Sequence, residues 1–344
     1  MREDRNVSLA DLTTLRLGGP AERLVTIDDV DDFAHVARDI GRAGMLILGG
    51  GSNVVVSDDG VDVPVIRVAT SGVEVTRVDD DVELSVAAGE SWDDFVGLAT
   101  AEGWSGIEAL VGIPGLVGAT PIQNVGAYGQ EVSDAITDVD VYDRLTNRRS
   151  RMLPTDCEFG YRTSVFKSEP NRFVILTVQF RLRRFELSEP IAYAELAQML
   201  GADVGARVPL ERAREAVMSL RRQKGMVLDP EDHDTWSVGS FFTNPFLDDA
   251  SLLPQQAPRW EQSDGRVKTS AAWLIEHAGF AKGFGSDIGR GRVTLSHKHT
   301  LALTNRGDAT TAELLTLAGL VRDGVQEKLG ITLLPEPTLI GVHL

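Results

Sequence analysis

Cysteine is almost missing from this 344-residue chain. Cys157 stands alone, so no internal disulfide and no cysteine-built zinc site can form, and a reducing cytosol is the expected compartment. No stretch approaches the roughly 18 consecutive apolar residues of a membrane-crossing helix. Residues 1–10 carry acidic groups where a secretory leader has its apolar core, which predicts an unprocessed cytoplasmic protein without membrane insertion. Positive charge is scarce as well. Only 34 Lys and Arg stand against 51 Asp and Glu, a formal net charge of −17. Acidic runs such as Asp28-Asp29 and Asp79-Asp80-Asp81 have no basic arm to balance them. Nucleic acid is therefore excluded as a partner, and an anionic ligand would need cations gathered locally.

The length exceeds that of one average core and predicts two or three compact units. Residues 28–43 read as a helix with Val30, Phe33, Ala34, Ala37 and Ile40 on one face and Gly44 past its end. Met45-Leu46-Ile47-Leu48 is a short strand that stops at Gly49-Gly50-Gly51-Ser52-Asn53, and 63–68 is another. The Asp triplet turns a hairpin of 73–78 and 82–87. Ser91 caps a helix to about residue 102, with Asp93 and Asp94 in its first turn. Strands follow at 136–142 and 173–182, and helices at 210–224 and 312–329, the last ending at Gly330. Mixed strands and helices with hairpins predict an α+β fold, not a doubly wound parallel sheet. There is no internal repeat, and the aperiodic stretch 223–238 is the expected inter-domain crossing.

Two segments are rich in glycine. A loop that brings backbone N–H groups against a pyrophosphate needs residues without a Cβ, and the Gly49 to Asn53 run, directly after a strand, has them. It lacks the G-x-G-x-x-G spacing of a Rossmann loop, and Val54-Val55-Val56 continues as strand. The second segment, from Gly112 to Gly129, alternates small residues with two stiffening prolines. Such a shaped loop suits a large flat ligand. Two loops with amides to spare in one chain suggest a dinucleotide cofactor.

The strings "LGGGSN" and "GIPGLVGATPIQNVGAYGQE" resemble the FAD-binding domain of the UDP-N-acetylenolpyruvoylglucosamine reductase (MurB) family, within the wider vanillyl-alcohol-oxidase-like flavoproteins. Family-like strings follow in order: "FGYRTSVFK" at 159–167, "GSFFTNP" at 239–245, "AAWLIEHAGFAKG" at 271–283 and "PEPTLIG" at 335–341. With "TTLRLGGPA" at 13–21, the resemblance runs nearly end to end. It implies a two-part FAD-binding domain of the vanillyl-alcohol-oxidase/PCMH type plus a C-terminal α+β substrate domain. The implied boundaries are 1–68 (with 331–344 returning), 69–225 and 226–330. It also implies noncovalent FAD, NADPH as cosubstrate, and UDP-N-acetylglucosamine enolpyruvate as substrate for peptidoglycan synthesis, in a monomer without a metal.

The same resemblance assigns residues. Hydride transfer to the enolpyruvyl CH2 leaves negative charge between C2 and the carboxylate, so the chemistry asks for cations or acids there and a proton donor at C2. Arg162 matches the family arginine beside the carboxylate, and its planar fork suits a delocalised dianion. Ser240 matches the proton donor, and Glu336, fixed between Pro335 and Pro337, matches the glutamate that steadies the intermediate. Gly49, Gly50, Gly51, Ser52 and Asn53 fall on the FAD pyrophosphate. Pro114, Gly115, Gly118, Ala119, Asn124, Gly126 and Ala127 fall along the ribityl and isoalloxazine portions. Tyr193 matches a tyrosine loop that covers the UDP-sugar in one subtype, and Lys224, Asn244 and His299 fall on substrate-binding positions. Thr243 stands where some members carry lysine, which leaves more phosphate charge to Lys224 and Lys268. A related oxidase would explain the first 180 residues but not "GSFFTNP" or "PEPTLIG". A flavin-binding sensor would tolerate loss of Ser240 and Glu336.

Overall fold

The computed structural model describes residues 1–40 and 44–344. The chain divides into two compact units. The first comprises Met1–Val7, Ala21–Gly50 and Asp62–Gln223; the second comprises Ser8–Pro20, Gly51–Val61 and Lys224–Leu344.

In the first unit a four-stranded sheet runs in the order Arg2–Ser8, Pro20–Ile27, Val65–Val68, Leu46–Leu48, its last three strands parallel. The helix Asp32–Ile40 covers it with Phe33, Ala37 and Ile40 of the expected face buried, Val30 and Ala34 partly buried beside them, and Val36 buried as well. It starts four residues later than expected. The Asp29 carboxylate accepts the Asp31 amide, so this acidic run forms a turn before the helix begins. Residues 41–43, the expected last turn, lie outside the described residues.

The second sheet of this unit has six strands, all antiparallel pairs: Arg148–Met152, Ile136–Asp143, Phe173–Arg184, Asp81–Ala87 and Val73–Val78 in order, with Trp104–Ser105 also beside Phe173–Arg184. Phe173–Arg184 buries successive residues over 174–176, where both faces are covered, and then alternates, with Arg181 and Arg183 exposed. Val174 and Leu176 join the cluster under the Asp32–Ile40 helix, while Val178, Phe180 and Leu182 join the core beneath the helices Trp92–Ala101 and Leu210–Gln223. The Trp92–Ala101 helix begins as its sequence requires, with the Ser91 hydroxyl accepting the Asp94 amide.

The second unit is centred on the helix Thr311–Leu329. A capping box between Thr310 and Glu313 opens it and Gly330 in the left-handed conformation closes it. Asp58 accepts the Thr311 and Ala312 amides at 2.8 and 3.1 Å, placing a carboxylate at the positive end of the helix. Leu314, Leu317, Ala318, Val321 and Val325 pack against Leu274 and Ile275 of the helix Ala271–Ala278 and against the hairpin Val293–Leu295/Leu303–Asn305. Near the C-terminus Thr338–Ile340 pairs in parallel with Val54–Val56, the strand that leaves the first glycine run. The two glycine segments lie largely in turns and short 3-10 pieces between these elements, whereas the strings at 159–167, 271–283 and 335–341 run into the helices Val165–Ser168 and Ala271–Ala278 and the strand Thr338–Ile340. The mixed architecture is the predicted α+β fold.

Candidate active site

In the first unit the expected cofactor loops meet each other. Gly49 lies against Leu116 and Ala119, and a Cβ on Gly50 would stand 2.8 Å from the Gly115 Cα. A Cβ on Gly118 would fall 2.5 Å from the Ala88 Cβ. Gly50 and Gly118 are therefore required by chain against chain, before any ligand is considered. Beside them opens an apolar cleft, lined among others by Ile47, Gly49, Leu116, Gly118, Ala119 and Ile122. Small residues of both loops thus form the walls of a slot suited to a flat, largely apolar ring system. In the second unit Gly51 adopts φ +62°, where a Cβ would fall 2.0 Å from the Leu12 carbonyl oxygen. Ser52 is partly buried, and the Asn53 carbonyl accepts the Thr338 amide.

Pro114 and Gly115 form the tight approach to the Trp92–Ala101 helix, with the Trp92 amide donating to the Gly115 carbonyl at 3.1 Å. The Asn124 side chain is committed inside the loop. Its amide donates to Glu131 and the Gly160 carbonyl and its oxygen accepts the Ser133 amide, while the residue is 1 % exposed. Gly126 and Ala127 continue into a two-residue turn, Tyr128-Gly129, with positive φ at both positions. Gly129 is forced by packing, since a Cβ there would meet the Ala192 Cβ at 2.4 Å. That contact seats the segment before Tyr193, whose half-exposed ring lies edge-on to Tyr128 at 5.9 Å.

Arg162 sits at the tip of a tight loop closed by the Gly160–Thr163 bridge. Its φ is +54°, unusual for a residue with a side chain. Its guanidinium donates to the Asn124 and Gly126 carbonyls at 3.2 and 2.5 Å, and the Ser164 hydroxyl donates to the Ile122 carbonyl. The arginine is thus tied to the second glycine segment.

The second unit brings Ser240 and Glu336 together. The Glu336 amide donates to the Phe241 carbonyl at 2.9 Å, and Phe242 pairs with Pro335 as an isolated β-bridge. Phe241 and Phe242 are 0 % and 1 % exposed, so the residues after Ser240 anchor deep in the core while Ser240 stays partly exposed. Asn244 spends its side-chain oxygen on the Ala271 amide, the first of the Ala271–Ala278 helix. His299 uses Nδ1 toward the Leu301 amide at 3.5 Å. Lys268 stands opposite both Phe246 and Trp260 in a small three-stranded sheet. Lys224, partly buried, follows directly on the Leu210–Gln223 helix.

Several supports escape sequence reading because their partners are distant in the chain. Asp93 accepts the Gly112 amide at 2.6 Å and Arg221 donates to the Gly112 carbonyl at 3.3 Å, clamping the start of the second glycine segment. Burial among neighbouring atoms pushes the Arg221 guanidinium down to about 10. In the second unit Asp234 accepts from the His297 amide at 2.9 Å and from Arg306 at 2.8 Å, fixing the stretch that leads to Ser240. Burial opposes its ionisation, but the His297 amide, Arg306 and the His297 ring outweigh it and hold the carboxyl below the usual range. Cys157 is fully buried, and burial raises its thiol to about 12, which removes it as a nucleophile.

Residues 21–146 match the family model "FAD binding domain" and residues 229–340 match "UDP-N-acetylenolpyruvoylglucosamine reductase, C-terminal domain". The UDP-N-acetylenolpyruvoylglucosamine reductase of Thermobifida fusca is 54% identical over 99% of the chain and 98% of the relative. That of Cutibacterium acnes is 52% identical over 98% and 90%. The crystal structure of the Thermus caldophilus reductase (MurB) superposes with a TM-score of 0.68 at 27% identity, covering 99% of both chains. No described helix is long and apolar enough to cross a membrane, and no described cluster of His, Cys, Asp and Glu could hold a metal ion.

Proposed function

The chain belongs to the UDP-N-acetylenolpyruvoylglucosamine reductase family, as an FAD-dependent oxidoreductase that reduces UDP-N-acetylglucosamine enolpyruvate for peptidoglycan synthesis, and we propose that NADPH supplies the electrons and Ser240 the proton. The apolar cleft and the small residues of the two glycine loops fit a bound FAD. When bound, FAD would supply the two-electron redox chemistry that links NADPH to the enolpyruvyl CH2.

The observation that carries the proposal is the pairing of the Ser240-Phe241-Phe242 segment with Pro335-Glu336. It fixes a hydroxyl and a carboxyl group on neighbouring backbone, both free of the deep core that their aromatic neighbours enter. Addition of hydride leaves charge at C2 that delocalises into the substrate carboxylate. Arg162 binds that carboxylate with its fork, Glu336 steadies the charged species, and the Ser240 hydroxyl gives its proton to C2. A serine hydroxyl is a weak acid in water, so Phe241 and Phe242, by excluding water beneath it, favour the transfer. Gly49, Gly50, Gly51, Ser52 and Asn53 hold the FAD pyrophosphate, and Pro114, Gly115, Gly118, Ala119, Asn124, Gly126 and Ala127 line the rest of the cofactor.

Tyr193 closes over the UDP-sugar, while Lys224, Asn244 and His299 bind the substrate. The protein acts as a cytoplasmic monomer. Residues 1–68 with 331–344, and 69–225, form the cofactor domain, and 226–330 the substrate domain. Anaerobic incubation of the yellow protein with NADPH and UDP-N-acetylglucosamine enolpyruvate tests the reading. The expected product is the lactyl ether, heavier by two hydrogens; unchanged substrate beside a fully reduced flavin would overturn it.

A further inference from the structure

We propose that Lys167 is a positioning residue for the reduction, holding Arg162 in the left-handed backbone conformation from which its guanidinium acts; this rests on the proposed role of Arg162.

Tyr161 and Arg162 are the two central residues of a loop closed by reciprocal bonds, Gly160 N–H to Thr163 O at 3.1 Å and Thr163 N–H to Gly160 O at 3.2 Å. The second central position has φ +54°. Glycine fills such a position without strain, but glycine has no guanidinium. An arginine there is strained and persists only where surrounding contacts over-determine it.

Two sets of contacts do so. The guanidinium is tied to the Asn124 and Gly126 carbonyls. From the other side the Lys167 ammonium donates to the Arg162 carbonyl at 3.2 Å, reaching back from the short helix Val165–Ser168. That bond fixes the peptide plane leaving Arg162 and therefore its ψ. Relaxation to the ordinary right-handed region reverses φ and turns ψ with it, so it would break the ammonium bond to this plane and swing the side chain off its two carbonyls. The ammonium is a charge-assisted donor, stronger than a neutral one, and opposes that relaxation. The Ser164 hydroxyl, bonded to the Ile122 carbonyl at 2.6 Å, keeps the base of the loop in place while Lys167 sets its tip.

The test is a double-mutant cycle read on one half-reaction. The flavin is reduced with dithionite, mixed anaerobically with UDP-N-acetylglucosamine enolpyruvate, and its reoxidation followed in wild type, Lys167→Met, Lys167→Arg, Arg162→Gly and Arg162→Gly/Lys167→Met. Lys167→Met is expected to slow reoxidation roughly tenfold to a hundredfold, the range of supporting-shell substitutions, at unchanged FAD content. Lys167→Arg should recover most of the rate, and the double variant should be no slower than Arg162→Gly alone. A wild-type rate in Lys167→Met, or additive losses in the double variant, overturns the proposal, because Lys167 would then be neutral or act independently of Arg162. Loss of FAD in both Lys167→Met and Lys167→Arg overturns it too, by showing a purely structural role. If Arg162→Gly itself reoxidises normally, the role assigned to Arg162 fails; if only Lys167→Met does, that role stands and the positioning inference alone is lost.

Discussion

Arg162 and Ser240 are held in opposite ways. Arg162 stands at a strained loop tip and is kept there by side-chain bonds: its own guanidinium on two carbonyls and the Lys167 ammonium on its carbonyl. Ser240 lies in a segment secured by backbone pairing, through Phe241 with Leu301 and Glu336 and through Phe242 with Pro335, with two buried aromatic rings beneath. The first arrangement is sensitive to any change in the surrounding side chains. In the second the serine hydroxyl is removable with little effect on structure, so its loss reports on chemistry.

Apart from Ser240 itself, the largest effect that would sharpen the contrast is expected at Gly118, in the first unit. Alanine there would set a methyl group 2.5 Å from the Ala88 Cβ and 3.0 Å from its Cα. Overpacking of this kind costs about 1–3 kcal/mol, roughly a tenfold to hundredfold loss of FAD affinity if the loop shifts to relieve it. Equilibrium dialysis of Gly118→Ala measures that loss, and wild-type affinity would show the loop to be more compliant than its packing implies.

A smaller effect is expected at Tyr193. Its half-exposed ring lies edge-on to Tyr128 and beside Gly129, so removing it should forfeit about 0.5–1.5 kcal/mol. In steady-state kinetics Tyr193→Ala should raise the KM for the UDP-sugar several-fold while FAD content is retained. Loss of FAD from this variant would make the tyrosine part of the cofactor loop's support instead.

The smallest effect on turnover is expected from Asp234→Asn, and it tests whether the segment leading to Ser240 is as robust as its backbone pairing suggests. The folded carboxyl is held below its ordinary range, despite the opposing effect of burial, by the His297 amide and Arg306. Its stabilising contribution is therefore present above the unfolded carboxylate pKa of about 3.9 and is lost as pH falls through the lower folded value. Urea unfolding should show Asp234→Asn less stable than wild type near pH 7 by about 1–3 kcal/mol, with the gap narrowing toward pH 3. A gap independent of pH would mean that the charge on Asp234 does not matter.

Sequence and structure agree most closely where local chemistry decides the outcome. Ser91 and Thr310 announce helix starts, Gly330 a helix end, and the Asp79-Asp80-Asp81 run a hairpin turn, because each is settled by neighbours within a few residues. The start of the first helix was displaced by the same local forces, as an aspartate near its expected beginning formed a turn of its own. The short helices Pro154–Cys157 and Val165–Ser168 were illegible because four residues carry no periodicity. At the site, the motif strings nominate residues but do not say what holds them. Arg221 and Asp234 act through partners that the fold alone brings near, Lys167 through a carbonyl five residues back that comes within reach only because of the turn at Arg162, and the positive φ of Arg162 has no signature in residue type. The glycines show the converse limit: Gly50 and Gly118 read as cofactor-facing, yet each is also demanded by a neighbouring segment of chain.

The most direct test of the central claim follows the color of the flavin in Ser240→Ala through a single anaerobic turnover. The account predicts reduction by NADPH at close to the wild-type rate, followed by reoxidation with UDP-N-acetylglucosamine enolpyruvate that is slower by several orders of magnitude. Reoxidation at the wild-type rate, or an equal slowing of both half-reactions, would contradict the assignment of Ser240 as proton donor.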